Sequence, residues 1–154
     1  MIRLICGLVL VLVIVSPSLG QQSLVGTYKL VSFTIEVDGT PSQIMGKAPH
    51  GYEVITPTHF VYFITADNRK FGTSVADKAA LFDTLAGFAG TYRVEGDKFI
   101  TTKDVSWTEN LNGATNVETW QLSGNRLTLT EGPIPFPRDP SKTMIRRQVL
   151  EKIE

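Results

Sequence analysis

Gly26-Thr27-Tyr28-Lys29-Leu30-Val31-Ser32-Phe33 is the stretch whose reading decides the fold. Its side chains alternate, and the run continues through Thr34-Ile35-Glu36-Val37 with β-branched residues throughout. A period of two residues puts successive side chains on opposite faces, so Leu24 to Val37 reads as one long strand. Asp38-Gly39 closes it with a turn.

Further strands follow. Gly51 to Thr56 and Thr58 to Thr65 flank Pro57, which suits a hairpin turn. Thr91 to Glu95, Lys98 to Trp107, Asn116 to Leu122, Arg126 to Thr130 and Met144 to Lys152 complete the set. Gly96-Asp97, Asn110 to Gly113 and Ser123-Gly124-Asn125 separate several of them. Gly132 to Pro140 carries four prolines and reads as a loop, either a lid or a stiff connection. Ser74 to Ala86 predicts the one helix, with Ser74 and Asp77 at capping-box spacing, Leu81, Leu85 and Phe88 repeating at helical spacing, and Phe82 and Ala86 widening that apolar stripe. The expected fold class is all-β: a single antiparallel up-and-down β-barrel of about eight strands, with one short helix packed outside. Closure would remove the exposed edges of an open sheet.

The N-terminus has a different composition. Arg3, the apolar run Leu4 to Val15, Pro17 and Ser18-Leu19-Gly20 have the build of a secretory signal peptide. The run is shorter than the ~20 residues a spanning helix needs. The predicted division is therefore signal peptide 1–20 and barrel domain 21–154, with the protein secreted or periplasmic and without a membrane span after cleavage. The chain's one cysteine, Cys6, lies in the signal, so the barrel can form no disulfide. Fifteen basic residues balance fifteen acidic ones, and no basic run offers an electrostatic footprint for nucleic acid. No nucleophile elbow, phosphate loop or dinucleotide fingerprint occurs, and two isolated histidines make no zinc site. No cofactor or metal is expected, and oligomeric state is not legible.

The order of motifs resembles the bacterial and fungal lipocalin-like domain family. Leu24 to Phe33 is similar to its first strand, and Pro49-His50-Gly51-Tyr52 with Ile55-Thr56-Pro57 to its second-strand signature. Ala89-Gly90-Thr91-Tyr92 with Val94 to Asp97, and Trp120 to Leu129, resemble its mid-chain strand and penultimate hairpin. The resemblance implies a small calycin-type barrel with an internal cavity. It also implies a floor in which a late arginine, Arg147 or alternatively Arg146, covers the first-strand aromatic Tyr28.

Two strand faces compete for the cavity. With Tyr28 inward, as the resemblance implies, Ser32 and Thr34 would line it; the reverse would make Val31, Phe33 and Ile35 a dry core. The strand Thr58–Thr65 is apolar on both faces, with Leu81, Phe82 and Leu85 as its natural outer cover. Candidate ligand-binding residues are Tyr28, Ser32, Thr34, Tyr52, Tyr62, Tyr92, Trp107, Glu118 and Trp120. The expected partner is a small, mostly hydrophobic or amphipathic molecule. No residue is assigned to catalysis. Glu118, if inward, would be a carboxyl in an apolar cavity able to act as acid or base, and His59 is the other weak candidate. They carry the rival reading, an isomerase- or cyclase-type enzyme. A third reading is an envelope protein with a filled barrel that acts through its surface.

Overall fold

The computed structural model describes residues 23–154 apart from 43, 68, 137 and 138. The signal-peptide reading of 1–20 lies outside the described residues. The described residues form nine strands: β1 Gly26–Val37, β2 Thr40–Ser42, β3 His50–Ile55, β4 His59–Thr65, β5 Leu85–Glu95, β6 Lys98–Ser106, β7 Thr115–Ser123, β8 Arg126–Phe136 and β9 Asp139–Lys152. All pairings are antiparallel, and β9 returns to pair with β1 along most of its length. Eight strands thus close a barrel in sequence order, as the alternation predicts, and β2 is a short hairpin extension of β1.

A bulge decides which residues of β1 face inward. Leu30 pairs with Leu150 and Ser32 with Val149, so Val31 has no opposite residue. One extra residue inverts the alternation beyond it. Tyr28 and Leu30 are buried below the bulge, and Phe33 and Ile35 turn inward above it. Neither sequence reading of this strand holds along its whole length: Val31 is exposed, and Phe33 and Ile35 line the cavity rather than a dry core. Ser32 and Thr34 are exposed, which corrects their expected place in the cavity. Asp104 is likewise unmatched on β6, where Gly90 approaches so closely that a Cβ would strike the carbonyl of Thr102.

Several boundaries also differ. The predicted capping box at Ser74 is present, but α1 is shorter, Val75–Asp83, because Leu85 and Phe88 already belong to β5. The segment read as a proline-rich loop extends β8 to Phe136 and starts β9 at Asp139. Another shift in register falls between Glu131 and Ile134, where Gly132 and Pro133 are accommodated. The outer cover expected over β4 is missing: no α1 residue is buried, and Val61 and Phe63 are 50% and 52% exposed. Instead α1 stands outside the barrel at its rim, where Phe82 and Asp83 border the cavity.

The two ends differ. One end carries the β3–β4, β5–β6 and β7–β8 turns and is filled by Leu24, Tyr28, Ile55, Phe60, Tyr92, Phe99, Leu127, Leu129 and Leu150. There the Tyr28 hydroxyl donates to the Leu24 carbonyl at 2.9 Å, and burial pushes its phenol pKa up to about 12. The expected arginine over Tyr28 is replaced. Register puts Arg147 opposite Thr34, on the exposed face, and Arg146 opposite Ile35. Lys152 pairs with Tyr28 and holds its Nζ 6.0 Å from the ring centroid. The other end opens between the β1–β2 turn, α1, the β6–β7 connection and the last residues of β8, Ile134 and Phe136.

Candidate functional site

The open end leads into a cavity of about 510 Å³. Its upper wall is apolar: Phe33 and Ile35 from β1, Phe88 from β5, Trp107 beyond β6, Ile134 and Phe136 from β8, and Met144 from β9. Ile44 and Met45 reach in from the segment after β2. Asp67 anchors that segment, accepting from the backbone N–H groups of Lys47 and Ala48 at 2.9 and 3.0 Å. Gly46 is required there, with a φ of 76° and the Asp67 carboxylate where a Cβ would sit. A ladder of rings forms one side. Tyr62 stacks on Phe88 at 5.8 Å, and Phe88 meets Trp107 edge-on at 5.1 Å.

The cavity floor is polar. Arg146 on β9 lies opposite Glu131 on β8, which lies opposite Glu118 on β7. Two carboxylates directly across a strand pair repel. Arg146 bridges them, with Nη2 3.1 Å from Glu118 Oε1 and 2.9 Å from Glu131 Oε2. Asn116 donates Nδ2–H to Glu131 Oε1 at 2.6 Å and accepts from Lys103 Nζ, which also lies 5.0 Å from the Phe88 ring centroid. The chain Lys103–Asn116–Glu131–Arg146–Glu118 thus crosses β6, β7, β8 and β9. Burial opposes the charge on Arg146, but Glu118 and Glu131 hold it protonated above its ordinary range. Burial lowers Lys103 and raises Glu118, in the latter case against the pull of Arg146.

Across the barrel, Glu53 on β3 faces its strand partner Tyr62 on β4. Both are buried. Burial, with Glu118 nearby, pushes the Glu53 carboxyl up to about 8, so it holds its proton at neutral pH. Burial also raises the Tyr62 phenol, which stays neutral. Below these groups lies a smaller void of about 20 Å³, lined among others by Glu53, Tyr62, Thr101, Glu118 and Gln148.

Of the residues singled out in the sequence, the structure brings Tyr62, Trp107 and Glu118 to these two spaces. Tyr28 and Tyr92 belong to the closed end, where the Tyr92 hydroxyl donates to the Thr56 carbonyl at 2.8 Å. Trp120 packs against the same core and donates Nε1–H to the Gly96 carbonyl at 3.1 Å. Tyr52 points outward because Glu53 and Ile55 take the inward phase of β3. His59 is exposed beside the β3–β4 turn, its Nδ1 2.8 Å from Thr58 Oγ1, away from the cavity. The sequence reading passed over Glu53, Lys103, Asn116, Glu131 and Gln148. The available signal was phase: each shares its strand face with a core residue, Ile55, Phe99, the partly buried Trp120, Leu129 and Leu150 respectively. Among the described residues no group of His, Cys, Asp and Glu could hold a metal ion, and no helix is long and apolar enough to cross a membrane.

The family model for a lipocalin-like domain matches residues 25–150, from the first residues before β1 to the end of β9. A search of curated proteins finds no match.

Proposed function

We propose a binding function for this chain, which belongs to the lipocalin-like domain family: it holds one small, mostly hydrophobic molecule in the open half of its barrel. The observation that carries the reading is the cavity of about 510 Å³, apolar above and polar at its floor. Sites for small molecules commonly have this volume and this division of labour. Apolar burial supplies the affinity, at about 25 cal/mol per Å² removed from water. The polar floor orients the guest. A filled barrel acting only through its surface has no use for such a space.

Trp107 lines the cavity and Trp120 does not, which supplies a direct test. In a Trp120→Phe variant the remaining indole reports on the cavity alone. Titration with lipophilic alcohols, ketones and terpenoids should quench or shift its emission saturably, with a matching rise in thermal stability. Native mass spectrometry of protein purified from its own host should show a retained small molecule. No saturable response across the panel, with no retained mass, would sink the reading.

The leader-like segment at 1–20 supports export, to the periplasm or the medium. Fractionation with N-terminal sequencing tests this, with Gln21 as the expected first residue. An enzymatic reading remains the alternative, and its acid is Glu53 in place of His59. A neutral carboxyl beside the Tyr62 hydroxyl is suited to donating a proton to a bound carbonyl or alkene. Chemical conversion of a bound ligand, abolished in Glu53→Gln, would favour it over carriage.

A further inference from the structure

The 20 Å³ void is the deepest part of the site, and its walls carry information about the ligand. It shares Tyr62, Phe88, Lys103, Asn116 and Arg146 with the main cavity, so the same side chains form the floor of one space and the roof of the other. Four buried polar atoms on its lining residues have no hydrogen-bond partner in the protein: Glu53 Oε2, Tyr62 OH, Arg146 Nε and Gln148 Oε1. Buried polar atoms are nearly always paired, because leaving one unpaired forfeits its hydration without compensation. Four such atoms, on residues of β3, β4 and β9 that line one void, mark a place suited to a polar guest.

Their chemistry restricts that guest. Tyr62, Arg146 and the protonated Glu53 supply donors, and Gln148 Oε1 supplies an acceptor. A hydroxyl oxygen that accepts from two of these donors and donates to Gln148 Oε1 matches this set, and a carbonyl oxygen matches its donors alone. The charges are already matched: Arg146 pairs with Glu118 and Glu131, and Lys103 is tied through Asn116 to Glu131. A carboxylate would bring a further negative charge next to Glu118. An ammonium would face Arg146 and Lys103. Either adds an uncompensated charge to a buried site, which is costly. The volume agrees, since about 20 Å³ has room for one water-sized group.

We propose that this chamber is the head-group subsite of the barrel, and that it takes an uncharged oxygen, the hydroxyl or carbonyl at the end of an otherwise apolar molecule, using Tyr62, Glu53, Arg146 and Gln148. The proposal rests on the binding function above and names its ligand class. It also gives the buried polar layer a purpose that fold stability does not require.

The test uses ligands with one hydrocarbon body and different heads: decanol, decanal, decanoate, decylammonium and decane, titrated at neutral pH with the Trp107 signal. Decanol or decanal should bind at least about tenfold more tightly than decanoate or decylammonium. Tyr62→Phe should weaken the preferred oxygen ligand about fivefold and leave decane unchanged. Without ligand, Tyr62→Phe should be at least as stable as the parent, because it removes an unpaired buried hydroxyl, so a folding defect will not mimic the effect. Equal affinity across the heads, a preference for decanoate or decylammonium, or unchanged discrimination in Tyr62→Phe would overturn the head-group inference and leave the binding function standing. Failure of all five ligands to bind would overturn both. If the unpaired atoms serve only buried water, discrimination will be absent and Tyr62→Phe will bind every ligand as the parent does.

Discussion

The closed and open halves of the barrel are made from the same strands but solve the problem of buried polar atoms differently. At the closed end, the polar atoms of Tyr28, Tyr92 and Trp120 each reach a backbone carbonyl, those of Leu24, Thr56 and Gly96. The rest of that core is aliphatic or phenyl. In the middle of the barrel the Tyr62 hydroxyl has no partner of any kind in the protein, and neither do Glu53 Oε2, Arg146 Nε and Gln148 Oε1. Where the protein needs only to hold itself together, its polar atoms are paired internally. Where they are left unpaired, an open cavity adjoins them.

The largest expected effect tests the closed half. Phe99 is fully buried there. Phe99→Ala should cost about 3–5 kcal/mol by denaturant titration, the usual range for emptying a packed phenylalanine site. A loss under about 1 kcal/mol would mean that this end is as loosely filled as the other. Arg146→Met probes the boundary between the halves. It leaves Glu118 and Glu131 facing each other with no bridging cation, at a cost of about 3–5 kcal/mol at neutral pH. Adding Glu118→Gln should recover much of that loss, and failure to do so would show that the arginine acts mainly by packing.

A smaller effect is expected with pH. In the folded chain the Glu53 carboxyl titrates at about 8, against an ordinary value of 4.5. Between these values the folded state keeps a proton that the unfolded state has released. Stability is therefore greatest below the lower value and falls as pH rises through the window, by at most about 1.4 kcal/mol per pH unit for one proton. Glu118, also raised by burial, acts in the same direction. Denaturation midpoints measured from about pH 5 to about pH 8 should decline, and Glu53→Gln should flatten the slope. A parent profile already flat would mean that Glu53 is ionised and solvated.

The smallest stability effect belongs to the open end. Phe136 borders the cavity near the hairpin tip and is only partly buried. Phe136→Ala should change unfolding free energy by under about 1 kcal/mol while weakening ligand binding by about tenfold. The reverse pattern, a large stability loss with intact binding, would make the mouth a structural element and break the contrast.

Much of the fold was legible because alternation and turn chemistry agree along most strands. Asp38-Gly39 has the two positive φ values that a tight hairpin demands, 49° and 75°. Gly96 and Gly124 sit in turns at φ of 58° and 60°. The first half of β5 was misread because Leu85 and Phe88 are three residues apart, a spacing that also fits a helix face. The extended β8–β9 hairpin was missed because prolines argue against a strand. Pro133 and Pro135 occupy its irregular outer part, where the register already shifts. The site was harder to see. Tyr62 and Trp107 follow from the rule that aromatics line cavities, whereas Glu53, Lys103 and Glu131 contradict the rule that charges face water.

By itself the sequence determined a closed antiparallel barrel of lipocalin-like type. Local periodicity and turn residues act over a few neighbours, and those neighbours are written next to one another. Only the tertiary structure decided which residues see the cavity. The bulge at Val31 inverts a face that alternation alone would have carried through, and sends Ser32 and Thr34 to solvent. Barrel closure then brings Glu53 and Tyr62 from the early strands toward Arg146 and Gln148 from the last. Their charges and unpaired atoms have meaning only together, and no local pattern records that meeting.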